Sequence, residues 1–533
     1  MMPKLMNPLL FVGGSAITVA LLALSFAPAE ITFLAWVALV PVLVVFGLRP
    51  GKLGLLILWL AGMAFGIIGF LWLRHVTWLG TVLLASYLSI YFLLFCVSVR
   101  WLSFKKGVPL ALAAPLAWTA LEYLRGTVIT GFPWLFLAHS QYEVLPVIQI
   151  ADLTGAAGVT FWIVAVNGIL ADVTCGLLRL SPAVKRSRVV AAGAGVALIT
   201  IAALAYGWHR LNTLVVREGP RIAVVQANIP QDVKNRLSDD DISDMFFAHV
   251  RLTEMAQAAS PPPDLVIWPE TMAPPYVLDD RNDRPDNEWL NILTRLQRRS
   301  DLAVSASACP DIDARKVHNS VFFLPRGGRG GTQRFDKMHL VPFGEYVPLR
   351  WLIGWIVGPM VPYQEGLHPG DRHVLFHIKG WRFAPTICFE DGFPDLVADF
   401  GRGEEKMDFI VNVTNEGWFR DGTELDQHLA IAVFRAVECR AGFVRAANTG
   451  ISTFISPTGR IVSKLIVDSM AAGPRDREVA GVLHGVAMTT DTRSPYMTVG
   501  ELFGTLCAGA WVFCVIMPAV GGIRSWRRRG RGR

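Results

Sequence analysis

Three reactive side chains stand at the ends of apolar segments. Glu270 closes the run Leu265-Val-Ile-Trp-Pro-Glu270, Lys337 opens Lys337-Met-His-Leu-Val-Pro-Phe-Gly-Glu345, and Cys388 lies in Ile387-Cys-Phe-Glu390. A thiol is the best uncharged nucleophile among the side chains, and a neighbouring base and cation activate it. A carboxylate at the end of a buried strand serves as a general base when burial raises its proton affinity toward neutrality. An ammonium stabilises a developing oxyanion or a nearby thiolate, and Glu345 is placed to hold such a lysine. Each residue alone has an ordinary explanation: a strand-end acid, a solvated lysine, an inert buried cysteine. Together they supply base, cation and nucleophile, the set that acyl transfer requires.

Those residues need rigid elements to position them. Between 217 and 495 the pattern is mixed α/β. Strand-like runs are expected at 221–229, 265–270, 302–308, 320–324, 383–389 and 408–414. Ser238 with Asp241 reads as a cap opening a helix through Met255. Trp289, Ile292, Leu293 and Leu296 repeat at helical spacing. So do Leu425, Leu429, Ala432, Val433 and Ala436, in a helix expected to stop near Gly442. Short apolar strands alternating with amphipathic helices describe a sheet covered by helices.

The rest of the chain is of another kind. Of 533 residues, 52% are hydrophobic and 17% charged, against about 25% charged in an average soluble protein. Disorder is excluded by the apolar content, and the 48 Gly and 32 Pro lack a collagen period. A bilayer-spanning helix needs about 20 mostly apolar residues. Candidates are 5–28, 31–48, 53–73, 76–99, 156–178, 189–206 and 497–520, with a short eighth at 108–123 interrupted by Pro115. This divides the chain into a seven-span membrane domain (1–216), an outward catalytic domain (217–495), and a last span with a basic tail (496–533).

Loop charge sets the orientation. One side carries Lys4, Arg49, Lys52, Arg100, Lys105, Lys106, Arg179, Lys185, Arg186, Arg188 and the tail residues Arg524, Arg527, Arg528, Arg529, Arg531 and Arg533; the other carries Arg74 and Arg125. Both termini are therefore expected in the cytoplasm, with 217–495 outside. The net charge of +7 follows largely from the tail, which follows an apolar run and suits anionic lipid rather than nucleic acid. Trp351–Pro362 is apolar and too short to span; it reads either as a buried loop or as an arm dipping into the membrane interface.

The strings just quoted carry a resemblance. Trp268-Pro-Glu270, the Lys337–Glu345 string and Cys388-Phe-Glu390 resemble the Glu-Lys-Cys signature of the nitrilase superfamily. With the spans, Thr130-Gly-Phe-Pro-Trp134, Ser140-Gln141, Val225-Gln226, Ile229-Pro-Gln231 and the stretch from Asn412 to Gly450 resemble the apolipoprotein N-acyltransferase family. The resemblance implies an eight-span helical bundle carrying a four-layer α-β-β-α domain. It implies Glu270 as base, Lys337 as oxyanion stabiliser and Cys388 as nucleophile, with Glu345 positioning Lys337, Glu390 a further acid and Trp418 shaping the pocket. Its reaction moves an acyl chain from a membrane phospholipid, through a cysteine thioester, to the α-amino group of a lipid-modified N-terminal cysteine on an apolipoprotein. That places the chain in a bacterial inner membrane with its catalytic domain on the periplasmic face.

Phe389 stands where that family commonly has tyrosine, Asn235 where tryptophan is expected, and Asn415-Glu-Gly-Trp-Phe419 replaces Asn-Asp-Ala-Trp-Phe. No cofactor or metal is expected: His373 and His377 lie on a strand-like pattern, and the seven cysteines contain no CxxC pair. Arg326-Gly-Gly-Arg-Gly-Gly331 lacks a Walker ending and reads as a turn. Asn167 and Asp172, inside a span, could line a substrate path, Asp172 equally a helix cap. The competing readings are a membrane-tethered amidase using the same three residues and a transporter or receptor with an outward domain.

Overall fold

The computed structural model describes residues 6–46, 51–180, 184–236, 238–278, 287–311, 316–328, 331–348, 350–351, 366–403, 405–469 and 473–517. Lys4, Arg49, the tail arginines and nearly all of 351–362 lie outside these residues. The chain divides into two compact units, Met1–Thr213 with Val499–Arg533, and Leu214–Thr498.

The first unit is helical: α1 (Met6–Leu24), α2 (Val40–Val45), α3 (Lys52–Gly69), α4 (Trp78–Val99), α5 (Leu110–Thr127), α6 (Ala151–Leu177) and α7 (Arg186–Thr213), with Leu502–Trp511 from the far end of the chain. Among the described residues, Lys52–Gly69, Trp78–Lys105, Ala151–Leu177 and Arg186–Thr213 are long and apolar enough to cross a membrane. Helix α7 turns Leu198, Ile201 and Trp208 outward, an arrangement that favours an apolar solvent.

The span expected at 31–48 is not one helix. A 3-10 turn at Thr32–Trp36 precedes α2, and broken backbone in an apolar setting needs substitute partners. Asn167 of α6 supplies them. Its Oδ1 accepts from the Leu39 N–H at 2.8 Å and its Nδ2 donates to the Ala35 carbonyl at 2.9 Å. Asn167 thus pins the broken backbone. Asp172 caps α5, accepting from the Ala111 N–H at 3.0 Å, and Pro115 leaves α5 continuous.

The second unit holds two six-stranded sheets. The first is built from β1 (Arg217–Gln226), β2 (Leu265–Ile267), β3 (Asp301–Asp311), β4 (Lys316–Leu324) and β5 (Gln333–Asp336). The second is built from β6 (Phe376–Ile378), β7 (Trp381–Ile387), β8 (Phe409–Thr414), β9 (Gly442–Ala447), β10 (Thr453–Ile455) and β11 (Ile461–Lys464). A small hairpin joins β12 (Val467–Ser469) to β13 (Gly473–Arg475), and β14 (Gly481–Thr489) returns to the first sheet. The orders are β14-β1-β2-β3-β4-β5 and β11-β10-β9-β8-β7-β6. In each sheet the central pairs are parallel, β1/β2 and β2/β3 in one, β7/β8 and β8/β9 in the other. Strands β1 and β14 lie against β9.

The helices that accompany the sheets include α8 (Gln231–Arg236), α9 (Asp239–Gln257), α10 (Glu288–Gln297) and α11 (Glu424–Cys439). Ser238 caps α9 by accepting from the Asp241 N–H at 3.1 Å. The apolar stripes Phe246/Val250 and Leu293/Leu296 pack with Val266 and Val304 of the first sheet. Helix α11 is buried at nearly every position, as expected of a helix held inside a domain.

Three boundaries differ from expectation. β2 ends at Ile267, before Pro269, which has no N–H for a ladder. β7 ends at Ile387, because Cys388 takes φ +51° and opens a 3-10 turn, Cys388–Gly392. Helix α11 ends when Arg440 turns left-handed at φ +48°, not at Gly442. Gly442 instead begins β9 at a close approach of the sheets, where a Cβ would lie 2.0 Å from the Met488 carbonyl oxygen. Gly442→Ala should therefore destabilise the full chain by about 2 kcal/mol, read as a lowered Tm in detergent; an unchanged Tm would contradict this packing.

Candidate active site

The sequence-identified residues converge through the carboxyl ends of strands, where α/β sheets gather their sites. Glu270 follows β2, Lys337 follows β5, Cys388 follows β7 and Asn415 follows β8. Lys337 is 1% exposed, and an isolated ammonium there would be costly. It is not isolated. Its Nζ donates to Glu345 Oε1 at 2.9 Å and lies 3.5 Å from Glu270 Oε1. Burial works against its charge, but the Glu345 and Glu270 carboxylates outweigh burial and raise its proton affinity. Lys337 is a fixed cation, not a proton donor near neutral pH.

Glu270 is aimed by neighbours from three elements. Its Oε1 accepts from Asn319 Nδ2 of β4 at 2.7 Å, and its Oε2 accepts from the Asn415 N–H at 3.0 Å. Glu345 Oε2 accepts from the Val341 N–H at 2.8 Å, fastening the loop that carries it. Glu390 does a different job. It accepts from the N–H groups of Met338, His339 and Ile387 at 2.6, 3.1 and 2.7 Å, so it ties the segment after Lys337 to the strand before Cys388. Burial pushes its pKa up to about 7, against those hydrogen bonds and the nearby Lys337.

Cys388 is partly exposed at its turn. Burial pushes its thiol well up and Glu270 adds to this, while Lys337 and a hydrogen bond with Thr414 oppose it. The resting group is therefore a thiol, and a thiol reacts well as a nucleophile only when a base takes its proton. Asn412 Nδ2 donates to the Cys388 carbonyl at 3.1 Å, holding the left-handed turn. Trp418 is half-buried in the turn beyond Asn415. Phe389 packs on Phe393 and His339.

Sequence reasoning missed two residues. Asn319 sits mid-strand between His318 and Ser320, and nothing in that local pattern sets it apart. Lys234, in α8, donates to the Glu270 carbonyl at 3.1 Å and to the Thr271 hydroxyl. Burial lowers its pKa to about 8, partly offset by Glu270 and Cys388. Among the described residues His373 and His377 join no cluster of possible metal ligands: His377 pairs with Glu405 at 3.3 Å and His373 Nε2 lies 3.1 Å from the Leu396 carbonyl. Arg326–Gly328 is a turn between β4 and β5.

Two sheets carry a buried carboxylate and ammonium and a partly exposed thiol at their strand ends, and 221–471 matches the carbon–nitrogen hydrolase family. Residues 19–169 match the apolipoprotein N-acyltransferase N-terminal domain. An apolipoprotein N-acyltransferase of Geobacter metallireducens is 34% identical over 93% of both chains. One from Chromobacterium violaceum is 32% identical over 84% of this chain and 79% of its own. One from Bradyrhizobium diazoefficiens is 34% identical over 74% and 72%. The chain belongs to the apolipoprotein N-acyltransferase family, and is an acyltransferase with a carbon–nitrogen hydrolase catalytic domain.

The Asn319 contact generates a test. Asn319→Leu removes the donor to Glu270 and should slow alkylation of Cys388 by iodoacetamide about tenfold with little change in Tm. Alkylation at the wild-type rate would show that Asn319 does not aim Glu270 at the thiol.

Proposed function

We propose that this chain N-acylates lipoproteins by a two-step transfer through Cys388. The reading rests on one observation above others: a carboxylate, an ammonium and a thiol share one site in a chain that also carries the family's membrane domain. In the first step Glu270 accepts the Cys388 proton as Sγ attacks the ester carbonyl of a phospholipid. Lys337 stabilises the oxyanion of the tetrahedral intermediate. The ester C–O bond breaks, Glu270 returns the proton to the departing alkoxide, and a lysophospholipid leaves behind a thioester. In the second step the α-amino group of the acceptor's diacylglyceryl-modified cysteine attacks that thioester. Glu270 takes the amine proton, the C–S bond breaks, and the proton returns to sulfur.

Glu345 positions Lys337, Glu390 holds the segments of Lys337 and Cys388 together, and Trp418 borders the acyl pocket. Eight spans and a four-layer α-β-β-α domain, with boundaries near 216 and 496, are the architecture of this reading. Both substrates are anchored in lipid, so the site belongs at the membrane surface. The loop charges favour a multi-pass inner-membrane protein with 217–495 in the periplasm and both termini in the cytoplasm. A tethered amidase would use the same three residues, but a small soluble amide gives no reason for the membrane domain.

The test mixes purified protein with phospholipid labelled in its acyl chain. A hydroxylamine-sensitive label on Cys388 is expected, absent in Cys388→Ala; no label on folded wild-type protein would overturn the reading. Lys337→Ala should fold and lose acylation by about 3 kcal/mol of transition-state stabilisation. An unchanged rate would remove Lys337 from the mechanism.

A further inference from the structure

Beside the nucleophile turn lies a cluster of five buried ionisable side chains that neither step uses. His428 of α11 meets Asp391 Oδ1 through Nε2 at 2.6 Å and Glu416 Oε1 through Nδ1 at 2.8 Å. Glu424 Oε1 lies 3.4 Å from the same Nδ1. Arg445 of β9 contacts Glu416 and places Nη1 3.5 Å from Asp391 Oδ2. All five are sealed from solvent. Glu416, Glu424 and His428 are close enough together to surround a metal ion, but the Arg445 guanidinium already supplies a cation against Glu416.

An imidazole with a carboxylate at each nitrogen donates from both, which makes it an imidazolium. Burial and Arg445 oppose that charge, while Asp391 and Glu416 outweigh them and raise its proton affinity. The cluster then holds three carboxyl groups against two cations. It is neutral when one carboxyl keeps its proton, and a buried cluster favours neutrality. Glu424 is that carboxyl: burial first, and Glu416 beside it, push its pKa up to about 7. Glu416 and Glu424 each leave Oε2 without a hydrogen-bond partner among the described residues.

The attachments of this cluster matter more than its charge. Asp391 belongs to the turn Cys388–Gly392. Glu416 follows Asn415, whose N–H seats Glu270. His428 therefore bridges the segment carrying the nucleophile and the segment seating the base. Gly450 leaves room for it, since a Cβ there would lie 1.6 Å from Glu416 Oε2.

We propose that His428 is a positioning residue for acyl transfer, its imidazolium clamping Asp391 to Glu416 and so fixing Cys388 relative to Glu270, with Glu424 as the proton-bearing carboxyl that keeps the clamp neutral. The proposal rests on the assignment of Cys388 and Glu270 above. The charged groups facing His428 are Asp391 from the turn, Glu416 from the loop, Glu424 from its own helix and Arg445 from β9. When Glu424 loses its proton, one net negative charge remains near the nucleophile and opposes a thiolate there.

The experiment measures iodoacetamide alkylation of Cys388 in the full chain in detergent across pH, beside label transfer from phospholipid. Glu424→Gln mimics the protonated carboxyl. Its alkylation rate relative to wild type should be near one at about pH 6 and rise to about threefold at about pH 8.5. His428→Gln should alkylate about tenfold more slowly with Tm retained, and adding Asp391→Asn to it should cost nothing further. A flat Glu424→Gln ratio, a wild-type rate in folded His428→Gln, or additive losses would each overturn the clamp. If His428→Gln does not fold, the Glu424→Gln ratio decides alone. Alkylation needs no acyl donor, so a wild type that shows these patterns but takes no label from phospholipid supports the clamp and refutes the donor.

Discussion

A buried ammonium sets the terms for the catalytic unit. Lys337 has almost no contact with solvent, and water cannot compensate its charge, so the protein must do so at short range. Glu345 and Glu270 meet that need at 2.9 and 3.5 Å. Their carboxylates in turn require donors, which come from Asn319 in β4, from the Val341 N–H and from the Asn415 N–H. One cation thus obliges the ends of β2, β5 and β8 and the middle of β4 to meet at a single point. The proposed oxyanion stabiliser and the proposed base are held by the same contacts, so neither can move without exposing the other to an unbalanced charge.

The proposed nucleophile is held by different means. Cys388 leaves its strand in a left-handed conformation that costs a non-glycine residue of order 1 kcal/mol. The hydrogen bond from Asn412 to its carbonyl and those from three N–H groups to Glu390 pin the surrounding backbone. With its pKa raised by burial, the thiol stays protonated at rest, which protects it from stray electrophiles and makes its reactivity depend on a correctly aimed carboxylate.

The membrane unit obeys the same rule in another solvent. Where its backbone leaves helical geometry, side chains satisfy the freed groups: Asn167 for the segment around Leu39, and Glu122 for the Leu137 N–H and the Thr160 hydroxyl. Polar residues inside apolar spans invite functional readings, yet here several are structural because lipid offers no hydrogen bonds.

Much of this was legible in the chain as a string. Hydrophobic runs mark helices able to cross a bilayer, short continuous apolar runs mark most central strands, and Ser238 announces its helix, because each depends on neighbours within a few residues. The reactive residues could be named because strand ends before turns are local features with local wording. What no local pattern records is which separated groups face each other. Asn319, Lys234 and His428 look ordinary in sequence, and each acquires meaning from a partner 26 to 49 residues away or from a different sheet. Asn167 is of the same kind, its partner lying 128 residues distant. Sequence by itself determined most element types and named the candidate reagents, since short-range sterics and hydrophobic periodicity govern the first and local wording marks the second. Only the tertiary structure decided how each buried charge is balanced, because that balance is struck across space among groups the chain order keeps apart.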